Sequence, residues 1–184
     1  SLDTCLEHIS EVDTPLNHQL LLEMSDLAPA ELGMFARSWY KVGAQRKNSV
    51  IELLVSMAEE NAEVDFSALF KVCLKDQDYK VRKHAILGLW EFEDRSLIPL
   101  LVGLLESDDS GEVRAEAAMA LGKFAGLAQD GKILSKDGEL VRDSLLKALL
   151  NESEWVDVGR RALEAVAPFN IPEVYKYIHR AYDS

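Results

Sequence analysis

A short segment of this chain occurs twice. Val81-Arg82-Lys83-His84-Ala85 returns 32 residues later as Val113-Arg114-Ala115-Glu116-Ala117, each copy preceded by aspartates and followed by an apolar stretch at helical spacing. A unit of this length cannot close a core alone, so its apolar side must be buried against the next copy. The period therefore predicts a stacked array of helical hairpins, which offers extended surface rather than an enclosed reaction chamber.

Each unit reads as two helices of different composition. The first is leucine-rich: residues 96–106 place apolar side chains at three- and four-residue steps, with Pro99 in the first turn, where a missing N–H costs little. Residues 139–150 and 172–182 look similar. The second is alanine-rich: residues 112–125 carry Ala115, Ala117, Ala118, Ala120 and Gly122, small enough to let another helix come close. Asp76 and Asp78 precede one such helix, and Asp108 and Asp109 the next. Helix N-termini have unpaired N–H groups and the positive end of the dipole, so these carboxylates are expected as caps. The arginine one turn in should reach an aspartate of its own or a neighbouring repeat, building a ladder from Asp78, Arg82, Asp109 and Arg114.

A third, degraded copy spans residues 154–165. Aligning Val158 with Val113 leaves 45 residues between copies instead of 32, and the polar stretch 129–138 is the natural place for an inserted loop. Gly159 then takes the arginine position, with Arg160 and Arg161 beside it. Upstream, 29–40 and 45–60 read as a hairpin that lacks the Val-Arg motif, with Trp39, Ile51, Leu54 and Met57 in its core. Terminal units of arrays are atypical because one face meets water, so residues 1–26, with two short helices around Pro15, are expected to form an N-terminal cap.

The resulting partition of one domain, 1–184, is a cap (1–26), a degenerate repeat (27–62), repeats at 63–94 and 95–128, an insert loop (129–138), a repeat at 139–169 and the first helix of an incomplete repeat (170–184). That ending suggests a fragment of a longer array.

Composition narrows the chemistry. Against 20 Lys and Arg stand 32 Asp and Glu, a net charge of −12, which repels phosphate backbones at long range, so no nucleic acid is expected as a partner. The basic runs are no longer than pairs, and Arg46-Lys47 reads as a solvated helix start. No apolar run reaches the roughly 20 residues of a membrane span, and the N-terminus has no export signal, so the chain is read as cytoplasmic and free of membrane. Two cysteines make no disulfide framework. Cys73 sits among apolar neighbours at helical spacing and reads as a buried structural thiol, while Cys5-Leu6-Glu7-His8 offers two metal ligands with no second pair.

The pattern Asp-x-x-x-x-Val-Arg-x-x-Ala-x-x-Ala-Leu-Gly, read in residues 108–122, resembles HEAT repeats of the short type associated with phycobilisome lyases. Residues 76–88 fit apart from Ile86-Leu87-Gly88 at the end, and 152–165 fit loosely. Leu89-Trp90-Glu91-Phe92-Glu93-Asp94, together with Val64-Asp65-Phe66, is similar to bacterial HEAT proteins of unassigned role. The resemblance implies an all-α, right-handed α-solenoid of antiparallel helix pairs, with scaffolds, regulators, lyases and a few DNA-repair enzymes among its members.

In such arrays the second helices line the concave face. With Val81, Ala85, Leu89 and Phe92 inward, Lys80, Lys83, His84, Leu87 and Glu91 face out. The next unit presents Glu112, Ala115, Glu116, Met119 and Lys123, and the third Asp157, Arg160, Arg161 and Glu164. A protein partner is expected to touch Lys83, His84, Leu87, Glu116, Met119, Lys123, Arg160 and Arg161, with Leu87 and Met119 as apolar contacts and the charges setting orientation. A His84–Glu116 pair could serve as a base with its orienting carboxylate, but surface ion pairing explains both residues. Trp39, Trp90 and Trp155 are expected to pack between successive units. The function expected is that of a non-catalytic scaffold or adaptor without cofactors. Its rivals are a lyase-like HEAT protein or enzyme subunit and, further off, a nucleic-acid binder.

Overall fold

In a computed structural model of the chain, residues 1–177 are described, and among them every regular element is helical. The helices group into two compact units, residues 1–92 and 93–184.

In the first unit, α1 (Leu2–Ser10) turns Leu2, Cys5, Leu6 and Ile9 inward, a three- and four-residue stripe, and is capped by the Ser1 hydroxyl. A short helix α2 (His18–Leu21), capped by Asn17, runs into a 3-10 turn, Leu22–Met24. Helix α3 (Pro29–Tyr40) starts with its proline where the lost N–H is harmless, and Glu31 reaches back to accept from Ala28 N at 2.8 Å. Helices α4 (Ala44–Glu60), α5 (Ser67–Cys73) and α6 (Tyr79–Gly88) follow. Packing pairs α3 with α5 and α4 with α6, so leading helices form one layer and following helices the other. Gly88 lets α6 close on α5: a Cβ there would stand 2.6 Å from the ring of Phe70.

The second unit repeats the plan. Helices α7 (Leu97–Ser107) and α9 (Ser135–Leu150) make one layer, and α8 (Gly111–Gln129) and α10 (Val156–Val166) the other. The small residues of α8 let α10 pack close against it, and a Cβ on Gly122 would come within 3.2 Å of Ala165 Cβ. Layered helical hairpins with Val81, Ala85, Val113, Ala117, Val158 and Ala162 buried at equivalent positions are the architecture of an α-solenoid.

Three expectations change. Half of the stretch 129–138 is not loop: α8 runs on to Gln129 and α9 begins at Ser135, leaving 130–134 between them. The added length is helical because it has something to bury. Leu127 is covered, Gly138 lies close enough for a Cβ to sit 3.0 Å from that of Ala128, and Arg95 Nη2 stands 2.9 Å from Asp137 Oδ2, an ion pair too bent to count as a hydrogen bond. At the other end, Asn170 takes a left-handed conformation (φ 48°) after a 3-10 turn, Ala167–Phe169, and Pro172–Tyr177 is 3-10 rather than α-helical. The rest of the helix expected over 172–182 lies outside the described residues.

The third change concerns Arg46 and Lys47, which are buried rather than solvated, at 8% and 7% exposure. Arg46 donates to the carbonyls of His8, Ile9 and Thr14 at 3.0, 3.2 and 2.8 Å, at and just beyond the end of α1, where the last carbonyls lack intrahelical partners. The pair reads as solvent-facing only if α4 begins the chain's packing, whereas in the structure the N-terminal segment lies over it.

Candidate partner surface and repeat ladder

The turns ahead of α6 and α8 are built alike. Asp76 Oδ1 accepts from Asp78 N, and Asp108 Oδ1 from Ser110 N, both at 2.9 Å. Asp78 and Ser110 then cap their helices through Val81 N and Val113 N. Arg82 Nη1 donates to Asp76 O at 2.9 Å, and Arg114 Nη1 to Asp108 O at 2.7 Å, so each arginine first ties down the turn of its own repeat. Arg114 then extends to the following repeat with a two-pronged contact, Nε to Glu154 Oε2 at 3.0 Å and Nη2 to Glu154 Oε1 at 2.9 Å.

Lys47 holds the same helical position in α4 that Arg82 holds in α6, and it bridges forward in the same way. Its Nζ lies 2.9 Å from Asp76 Oδ2, which also accepts from Trp39 Nε1 at 2.9 Å. Trp39 stacks on Phe35 and lies beneath the ammonium. Sequence reading missed both Lys47 and Glu154 as members of these bridges. Counting from each helix start would have found Lys47; Glu154, 40 residues beyond Arg114, has no local sign. Of the other residues expected in the ladder, Asp78 caps α6 and accepts from Asn48 at 3.3 Å, and Asp109 is exposed.

On the surface of the following helices in the first unit, Lys83, His84 and Leu87 are half-buried. His84 Nδ1 lies 2.8 Å from Lys80 O, which fixes the proton on that nitrogen, and Nε2 faces Glu52 Oε1 at 3.6 Å. The carboxylate beside this imidazole is therefore Glu52 of α4, and Glu116 belongs to the second unit. There Glu116, Met119 and Lys123 of α8 are half-buried, with the Lys123 ammonium 5.1 Å from the ring of Phe124. On α10, Arg160 stands 3.6 Å from Asp157 and Arg161 3.3 Å from Glu164.

The remaining chemical candidates are built into the packing. Cys5 and Cys73 are buried free thiols. Burial, with Glu23 adding to it, pushes the Cys5 thiol up to about 11, and burial with Asp76 pushes Cys73 further in the same direction. His8, beside Cys5 on α1, accepts from Asn17 N at 3.0 Å. Among the described residues no three His, Cys, Asp or Glu side chains gather as a metal site, and no helix is long and apolar enough to cross a membrane. Of the tryptophans only Trp39 is buried. Trp90 and Trp155 are exposed by 41% and 57%, although Trp155 does pack from the third repeat onto Gly111 of the second.

No curated protein matches the chain. The family model described as HEAT repeats matches residues 66–167, the span that holds all three Val-Arg-type turns and the helices they start. HEAT repeats commonly form protein-interaction scaffolds and are generally not enzymes. On this match, which covers more than half its length, the chain belongs to the HEAT-repeat family.

Proposed function

We propose that this protein is a non-catalytic adaptor that holds a protein partner on the outward face of its following helices. Lys83, His84, Leu87, Glu116, Met119, Lys123, Arg160 and Arg161 are the contact residues of this reading. The observation that carries it is the placement of Leu87 and Met119. They are 32 residues apart, the spacing of the Val-Arg motifs, and each is a half-buried apolar side chain set among charged ones on its helix. Apolar anchors ringed by charge suit a partner surface, since the anchors supply affinity and the charges supply orientation. The two buried free thiols fit a reducing, cytoplasmic setting.

Affinity capture with the wild type and with Leu87→Glu/Met119→Glu tests this. Both side chains are partly exposed, so the fold should survive, which circular dichroism checks. We expect a partner retained by the wild type to be lost from the double variant. Equal recovery of every partner by both forms overturns the assignment of this face.

A further inference from the structure

The turns that lead into α8 and α10 carry an apolar corner that the adaptor surface does not use. Trp155 and Val156, at the start of α10, are exposed by 57% and 47%, and Leu150, at the end of α9, by 49%. The indole is not loose. It rests on Gly111, where any Cβ would occupy the same space, and the Arg114 guanidinium lies 5.9 Å from its centroid. That guanidinium is in turn gripped by Glu154, whose Oε1 also accepts from Trp155 N at 2.7 Å. An aromatic side chain seated in one orientation yet half open to water loses little freedom when a partner covers it, which is the property of a binding anchor.

The surrounding charge selects the partner. Across residues 108–114 and 151–157 stand six carboxylates and one cation, Arg114, with Arg160 reaching back to Asp157 from the next turn of α10. With Arg160 included these residues sum to −4, within a chain whose net charge is −12. A phosphate backbone or an anionic lipid surface is repelled, whereas lysines and arginines of a peptide are drawn in and can stack on the open part of the indole.

We propose that the Trp155–Val156 corner is a second docking site, for a protein segment in which apolar side chains alternate with lysine or arginine. Its apolar anchors are not among the adaptor contacts, so Trp155→Ala and Leu87→Glu/Met119→Glu test the two readings separately.

The test is fluorescence anisotropy with a labelled peptide of alternating lysine and leucine, against the same peptide with glutamate for lysine. The lysine peptide should bind and the glutamate peptide should not. Trp155→Ala should weaken binding about tenfold, the loss typical of an aromatic anchor. Because that variant also empties the seat on Gly111, Glu152→Gln/Asp157→Asn provides a second probe at exposed positions and should weaken binding several-fold. Glu59→Gln/Glu60→Gln on α4 removes the same charge from the first unit and should leave affinity unchanged. Failure of the lysine peptide to bind, wild-type affinity in Trp155→Ala, or equal losses in the two glutamine-containing pairs overturns the proposal.

Discussion

Lys47 and Asp76 carry their charges where water hardly reaches, with side-chain exposures of 9% and 4%. A buried pair of this kind gains little over an apolar pair, but losing one member strands the other. Lys47→Met should therefore cost about 3–5 kcal/mol, since the donors that remain, Trp39 Nε1 and Asp78 N, bring no full charge to replace the ammonium. A variant that also carries Asp76→Leu should be less damaged than the two single changes summed, because no orphan charge remains. Urea unfolding of the four proteins measures both quantities, and additive losses would mean that the contact does not couple these residues.

At the scale of elements, α1 is held by its apolar stripe and by one foreign side chain. Arg46, from the first turn of α4, donates to three carbonyls at and beyond the end of α1, and residues 1–26 contain no lysine or arginine to take its place. Arg46→Ala should destabilise the protein by about 2–4 kcal/mol, from three charge-assisted bonds lost in a buried setting. Hydrogen exchange should place the loss in residues 1–26, with α6 protected as in the wild type. Uniform deprotection of the first unit would assign Arg46 to the core instead.

The same elements show what was legible beforehand. Helix α3 was readable to the residue because Pro29 and the periodic apolar positions are local signals, and the Asp78 cap of α6 because capping is local as well, whereas α8 is capped by Ser110 and not by the aspartates expected there, Asp108 instead bracing the turn. The role of Arg46 was not, since its acceptors are backbone carbonyls more than 30 residues away that carry no side-chain mark. Residues 129–138 looked like a loop for a related reason. Glycines and charges favour a turn, and only the packing of Gly138 against Ala128 makes the added helical turns worthwhile. On the candidate surface, half-exposed Leu87 and Met119 follow from the 3.6-residue period, while the Glu52 partner of His84 depends on which helices become neighbours.

For the molecule as a whole, repeat architecture makes stability local. Each hairpin in the second unit is buried by the one beside it, and Leu121 is fully buried on α8, the helix that packs on α7, α9 and α10. Leu121→Ala leaves a cavity and should cost about 2–5 kcal/mol. In a closed globule with one cooperative core, such a loss lowers protection everywhere by the same amount. In an array built from nearest-neighbour contacts it should appear in α7 through α10 and leave the slowest-exchanging amides of α3 to α6 close to their wild-type rates. Native-state hydrogen exchange separates the two outcomes, and an equal fall in both units would show that the hairpins unfold as one body.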